Sequence, residues 1–573
     1  MRNASPHPAL VFAVIFVFIF LLHAPLLHLP YFWDEAGYYI PAARDILLTG
    51  SLIPQTTQAN GHPPLLLCWI ALWWKTVGFD PLVTRSAMLV AAAFSLSGVF
   101  RLAQCAANTQ VASASVLCTA LYSVFFAQSS LAQLDLAAAG FVFWGLSTYL
   151  EHRPTAVAIW FAFAALTKET AILAPAALAG WEILRTFLGG KLFAAAIAER
   201  KSSIDAPTVD DSADRNGMRP YSAVRVSTKR SLALLVPIVP LTAWYTYHYA
   251  RTGHVFGNSD FFRYNVASTL SLTRFLLALA MRLWQTFGYL HLWVLTLAML
   301  LAMLLPPIKD GAGKRPRIAV PVQVIFLVVV VTYMIAMALI GGAVLARYML
   351  PAVPLVIIVA VSTLWRRLRY WPLAVAAVAL AFVAAWFWNP PYGFSPEDNL
   401  SYRDYIHLHE EAERFLEARY PMARVLTAWP ASDELTRPWL GYVTRPMQVV
   451  RVEDFSLDEV LAAADFGSNR ESSNLEHSNS ERSDFAAALI FSTKDEPVHS
   501  LFDGWKKWQE LKSRYFGFHR DLPAAAVAHI LGGRIVFSEQ RQRQWVAVVE
   551  IERAEEARRS EAGADLRIAT ESR

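Results

Sequence analysis

A chain of 573 residues that is 55% hydrophobic, 13% aromatic and only 17% charged is too apolar for an ordinary soluble protein. Its net charge of +5 comes partly from Lys and Arg clustered between hydrophobic runs, which is topological information and gives no support to nucleic-acid binding. Cys68, Cys105 and Cys118 lack the paired spacing of a disulfide framework or a metal site, and read as small core residues.

The chain opens with a short polar start containing Arg2 and an apolar run to about Leu29, as a signal peptide does. The run has no clear small-residue cleavage site and is followed by Pro30 and aromatics, so it is expected to remain as the first span. Next comes Trp33-Asp34-Glu35, two adjacent carboxylates where a chain leaving the membrane meets the headgroup layer. Apolar windows at 8–29, 83–104, 111–128, 136–150, 154–168, 169–187, 231–250, 285–306, 319–343, 346–365 and 371–389 predict a polytopic α-helical membrane protein of about 11 spans. The segment from Pro63 to Gly78, short and rich in Trp, is expected to be a re-entrant or interfacial helix, because the count closes only if it does not span.

Three cation-rich stretches fix the orientation: Lys191 to Arg230, Lys309 to Arg317, and Arg366, Arg367 and Arg369. The positive-inside rule assigns them to the cytoplasm, which leaves residues 30–82, the turns at Asp135 and Lys168, the loop 251–284, Arg347 and everything after Trp388 outside. The polar part of the 189–230 loop has little to bury and is expected to be flexible. From about Asn389 the composition becomes that of a soluble domain, giving a membrane domain over 1–390 and a C-terminal α/β or α+β domain over 391–573. Helices are predicted over Glu397–Tyr420 and Asp503–Tyr515, and strands over Ala423–Ala428, Phe485–Phe491, Arg534–Phe537 and Trp545–Ile551. A Ser/Asn/Glu/Arg-rich stretch near 467–484 reads as a disordered insertion, and the charged tail after Glu552 as frayed.

Almost every polar residue of chemical interest therefore falls on the outer side, and each has a plain structural explanation as well. Asp34 and Glu35 are placed to cap the helix beginning at Glu35, and Asp135 the helix beginning at Leu136. His62 before two prolines suits a turn, Lys168 and Arg347 suit snorkelling cations, Tyr348 a belt aromatic, and Glu169 a local partner of Lys168. Taken together they supply a different site: cations, a histidine and a tyrosine to bind an anionic lipid carrier, with a carboxylate beside them as general base. Neither Gly-x-Ser-x-Gly nor a Walker sequence is present, so nothing points to a serine nucleophile or to ATP.

Trp33-Asp34-Glu35, His62-Pro63-Pro64-Leu65, Leu134-Asp135, Thr167-Lys168-Glu169 and Arg347-Tyr348-Met349-Leu350-Pro351, in that order, resemble the GT-C membrane glycosyltransferases. Within them the chain is most similar to the branch of the protein O-mannosyltransferases and the lipid A aminoarabinose transferases, over roughly residues 8–390. The resemblance implies a polyprenyl-phosphate-linked sugar as donor and an acceptor, lipid, glycan or protein, on the periplasmic side of a bacterial inner membrane. It implies that Asp34 is the catalytic carboxylate of an inverting displacement, with Glu35 and Asp135 orienting the acceptor or the basic residues. Lys168, Arg347 and His62 would hold the donor phosphate with Tyr348 as hydrogen-bond donor, supported by Glu169, Tyr38 and Tyr39. Where the aminoarabinose transferases typically carry Glu-Lys-Pro-Pro, this chain has Gly61-His62-Pro63-Pro64, so no cofactor is assigned and a divalent metal stays open.

His254, Asp260, Arg263, Tyr264 and Asn265, in the stretch Thr252 to Leu270, are candidates for sugar selection or members of a solvated loop. A transporter or flippase of a lipid-linked sugar is the rival reading, though such proteins tend to place ionisable groups mid-span and to show inverted repeats. A third reading, a membrane anchor for the C-terminal domain, leaves so many spans without a purpose.

Overall fold

The computed structural model of the chain describes residues 7–187, 228–257, 263, 269–311, 313–468, 485–495, 505–516 and 521–551. Most of the loop expected over 189–230, the insertion after Ser468 and the tail after Ile551 lie outside the described residues, as do Asp260, Tyr264 and Asn265. The chain divides into two compact units, one made of Met1–Pro25 and Ala42–Trp388, the other of Leu26–Pro41 and Asn389–Arg573.

The first unit is helical, with α1 (Pro8–His23), α2 (Ile40–Thr49, which begins in the second unit), α3 (Leu65–Val77), α4 (Pro81–Ala106), α5 (Thr109–Leu121), α6 (Ser123–Gln128), α7 (Leu134–Leu150), α8 (Pro154–Thr167) and α9 (Leu173–Phe187) in its first half. After the gap come α10 (Thr228–Leu235), α11 (Ile238–Thr252), α12 (Leu272–Phe287), α13 (Leu292–Met303), α14 (Val320–Leu339), α15 (Val353–Arg367) and α16 (Trp371–Phe387), with the small hairpin β1 (Lys309–Asp310) and β2 (Gly313–Lys314) before α14. Local chemistry starts several of them. Asp80 accepts from the Leu82 N–H at 2.7 Å ahead of Pro81, and Asn108 from the Val111 N–H at 2.9 Å.

Among the described residues, four stretches are long and apolar enough to cross a membrane: Pro8–Leu26, Pro81–Ala106, Leu272–Met303 and Val320–Leu339. Five further apolar helices of 10–17 residues accompany them. The windows read from the sequence at 111–128, 231–250 and 285–306 are interrupted, at Tyr122 between α5 and α6, at Pro237 between α10 and α11, and at Gly288–His291 between α12 and α13. Helix α3, at 13 residues, is about 20 Å long, shorter than the hydrocarbon layer. Residues 272–284, expected in an outer loop, form most of α12 instead. Arg274 and Arg282 gave that stretch its polar look, but both are buried with their heads turned to the carbonyls of Gly341, Gly342, Met337 and Leu345.

The second unit has a five-stranded sheet in the order β4 (Gln448–Val452), β3 (Arg424–Ala428), β5 (Ala487–Phe491), β7 (Gln544–Ile551), β6 (Gly533–Arg541). Strand β3 runs parallel to β4 and β5, while β7 is antiparallel to β5 and β6, so the sheet is mixed. Strand β5, Ala-Ala-Leu-Ile-Phe, is buried throughout, as a central strand covered on both faces must be. Helix α17 (Ser401–Arg419) packs on β6 and β7, and α18 (Ala431–Thr436), α19 (Leu457–Ser468), α20 (Lys506–Phe516) and α21 (Ala524–Leu531) complete an α/β unit.

Candidate active site

In the first unit, three helix ends bring charged side chains into one buried cluster. Asp135 stands in the first turn of α7, where the helix dipole favours an anion, and makes no cap; Lys168 follows the last residue of α8. Arg347 and Tyr348 lie in the short turn Ala346–Met349 before α15. Lys168 Nζ donates to Asp135 Oδ1 at 2.6 Å, and Arg347 Nε lies 3.4 Å from Asp135 Oδ2 while its Nη1 donates to Gln133 Oε1 at 2.7 Å. Asp135, Lys168 and Arg347 are all buried, so neither cation snorkels. The Tyr348 ring is faced by three cations, with Lys168 Nζ 4.4 Å, Arg282 Cζ 5.5 Å and Arg347 Cζ 5.7 Å from its centroid.

Glu169 does not pair with its neighbour Lys168. Its Oε2 takes His62 Nδ1 at 2.8 Å, drawing the Gly61-His62-Pro63 turn to the start of the helical turn Glu169–Ile172. Trp244 fixes that turn from α11 by donating to the Gly61 carbonyl at 2.9 Å. Gly61 has φ +74°, and a Cβ there would come within 2.4 Å of the Gly257 nitrogen, so only glycine fits. Glu169 is bonded to His62, Lys168 and Arg347 share the carboxylate of Asp135, and Arg282 joins them around the Tyr348 ring, so three cations meet in a buried place. Such a cluster can take up an anion with several oxygens. His62 and Glu169 gather no third metal-ligating side chain among the described residues.

Sequence reasoning missed Gln133 and Arg282. Arg282 carried a readable signal: an arginine in an otherwise apolar helix, with Arg274 eight residues earlier on nearly the same face, is a functional candidate by its cost alone. Gln133 carried none. His254 offers its carbonyl to His248 Nδ1 at 2.8 Å and is exposed, as is Arg263.

Asp34 belongs to the second unit, in a segment clamped by aromatic residues. The Tyr31 N–H donates to the Leu440 carbonyl at 3.3 Å, and the Tyr442 hydroxyl donates to the Tyr31 carbonyl at 3.0 Å. Trp33 lies between Tyr405 and Trp429 with ring centroids 5.6 Å and 5.2 Å away, and takes φ 45°, a conformation a bulky residue adopts only when its surroundings force it. A π-helical turn, Glu35–Tyr39, follows. Glu35 is fully buried and accepts from the Phe32 N–H at 2.9 Å, closing the loop around Asp34. Asp34 makes no capping bond and is half-buried, as are Trp33 and Tyr38, whereas Tyr39 points into the core. Of the two adjacent carboxylates, Glu35 is buried and Asp34 is half-buried.

No family model and no curated protein matches this chain. Among solved structures it is similar to ArnT from Cupriavidus metallidurans bound to undecaprenyl phosphate, with a TM-score of 0.50 and 12% identity over 95% of this chain and 98% of that one. This chain has the GT-C fold. A likeness also exists to the archaeal oligosaccharyltransferase AglB from Archaeoglobus fulgidus in complex with an inhibitory peptide and a dolichol-phosphate, with a TM-score of 0.41 and 11% identity over 94% of this chain and 74% of that one. The GT-C fold expected from five short motifs is thus reached from the backbone as well.

Proposed function

We propose that this chain is an inverting glycosyltransferase that moves one sugar from a polyprenyl-phosphate donor to an acceptor on the outer side of the membrane. The observation that carries the reading is the buried gathering of Lys168, Arg347 and Arg282 around Tyr348, with Asp135 beside the first two, in a chain of GT-C fold. A lipid-linked phosphate is the anion such a fold gives reason to expect, and the ArnT structure of the same fold is bound to undecaprenyl phosphate.

The chemistry follows from the charges. Asp34 takes the proton of the acceptor hydroxyl as the oxygen attacks the anomeric carbon in line with the leaving group. The bond from that carbon to the phosphate oxygen breaks, its electron pair stays on the phosphate, and the configuration inverts. Lys168, Arg347 and Arg282, with the Tyr348 hydroxyl, stabilise the charge that grows on the leaving phosphate, so no general acid is required. Asp135 holds Lys168 and Arg347 in place, and Glu169 does the same for His62, which stands ready as a further donor. Where the acceptor is itself a phosphate it is already a nucleophile, and Asp34 positions it.

The test is transfer or release of sugar from a panel of labelled polyprenyl-phosphate sugars by the purified protein in lipid discs, wild type against Asp34→Asn. Activity on one donor, reduced at least about 100-fold in the variant with donor binding kept, is the expected result. Undiminished turnover in Asp34→Asn removes Asp34 as the base. Donor binding without any turnover, coupled to movement of the labelled lipid between leaflets, favours the flippase.

A further inference from the structure

Beneath the segment that carries Asp34, the second unit buries three ionisable side chains that the proposed reaction does not use. His409 and Glu413 are four residues apart on α17 and so share one face, and Glu434 reaches them from α18. All three are buried, at 1%, 0% and 0% exposure. His409 Nδ1 lies 2.7 Å from Glu434 Oε2 and 3.6 Å from Glu413 Oε1, and one ligand atom from each residue falls within 4.8 Å of the others. The walls are aromatic: Tyr405 stacks on the imidazole at 4.0 Å and Phe491 meets it edge-on at 4.6 Å.

The charges do not balance. Two carboxylates face one imidazole, and no Lys or Arg is paired with any of the three among the described residues. Both oxygens of Glu413 and Oε1 of Glu434 are buried without a hydrogen-bond donor. A buried carboxylate pair of this kind needs a cation or a shared proton.

We infer that His409, Glu413 and Glu434 form a structural site for a divalent metal of the zinc class, which ties α17 to α18. The donor set, one imidazole nitrogen and two carboxylates, is what Zn²⁺ accepts, with Mn²⁺ as the nearest competitor. Ligands about 2.1 Å from one tetrahedral ion lie roughly 3.4 Å apart, so an ion needs only a small outward movement of Glu434 from His409, whose Nδ1 gives up its proton. The site braces the reactive segment through a short path. Tyr405 touches both the imidazole and the rings of Phe32 and Trp33, and α18 follows directly on Trp429, against which Trp33 and Tyr38 pack. This inference is independent of the sugar chemistry proposed above.

The experiment uses the full chain, purified with its affinity tag removed, and Zn²⁺ itself as the probe. After chelation the protein is titrated with Zn²⁺ by calorimetry, metal content is measured by mass spectrometry, and thermal midpoints are recorded with and without the ion. The expected result is one ion per chain, a midpoint that falls by several degrees on chelation and returns with Zn²⁺, and loss of both effects in Glu413→Gln and in Glu434→Gln. Because the first two readouts are made on the wild type, a variant that fails to fold does not decide the matter. Absence of stoichiometric binding in the wild type overturns the inference, and a Glu413→Gln variant as stable as the parent then identifies a proton shared by the two glutamates. An ion that persists unchanged in both folded variants overturns it too, since that ion is bound elsewhere.

Discussion

Asp135 has two cations to itself, and that makes its removal informative. Replacing it by asparagine takes from the buried Lys168 and Arg347 the carboxylate they share, and breaking a buried ion pair typically costs about 3–5 kcal/mol. If the cluster receives a lipid-linked phosphate, the phosphate replaces part of the missing negative charge. Asp135→Asn is therefore expected to have a lower thermal midpoint than the wild type and a larger rise on adding polyprenyl phosphate, because a ligand that binds only the folded state stabilises it in proportion to its affinity. A midpoint shift equal to or below that of the wild type would remove the phosphate from this cluster. Neighbouring Asp34 and Glu35 show how burial separates two like residues: Glu35 accepts from the Phe32 N–H inside the core, and Asp34 stands half-buried beside it.

At the scale of the element, the π-helical turn Glu35–Tyr39 is shaped by one close contact. A Cβ on Gly37 would lie 2.6 Å from the Trp429 indole, so the turn and the tryptophan cannot both stay where they are once the glycine is replaced. Gly37→Ala is expected to displace Trp429, destabilise the second unit by about 1–3 kcal/mol as overpacked sites do, and lower transfer with donor binding kept. A variant with wild-type stability and turnover would show that the turn does not hold Asp34. The helices and the central strands were legible because their apolar periods are strong: Ala487–Phe491 is a run of buried residues, and the expected strand over Phe485–Phe491 falls on it. Strand Gln448–Val452 was not legible, for it is an edge strand whose residues are half-buried at best and show no clean alternation. The candidate site was legible as a set of helix ends, since acids and bases there are too expensive to be casual. Its pairing was not, because sequence distance said Lys168 with Glu169 while the fold set Lys168 against Asp135, 33 residues away. The attachment of residues 26–41 to the C-terminal unit rests on contacts such as Tyr442 to Tyr31, 411 residues apart, which no local pattern announces.

At the scale of the whole molecule, charge separates the ends of the helical unit. Helices α7 and α15 begin at the buried cluster and run 17 and 15 residues to ends marked by Glu151 and Arg153 and by Arg366 and Arg367. There Arg366 donates to the Arg315 carbonyl at 3.0 Å, joining two of the cation-rich stretches that the positive-inside rule assigns to the cytoplasm. In the second unit, Asp495 makes stability sensitive to pH. Burial raises its carboxyl to about 6, with Arg543 Nη1, 3.4 Å away, pulling the other way and Asp404 adding to the rise. In the unfolded chain an aspartate titrates near 3.9, so between about pH 4 and 6 the native state binds more protons than the unfolded one. Stability then falls as pH rises through that window, by up to about 3 kcal/mol, and stays lower above it. Asp495→Asn keeps the neighbour's hydrogen bond, since Asn389 Nδ2 donates to Oδ2 at 2.9 Å and an amide oxygen accepts equally well. Thermal unfolding from pH 4 to 7 is expected to show the variant losing less stability than the wild type as pH rises, with the difference between them growing up to about pH 6 and then constant. Parallel curves for the two proteins would mean that Asp495 titrates alike in both states and that burial does not set its charge.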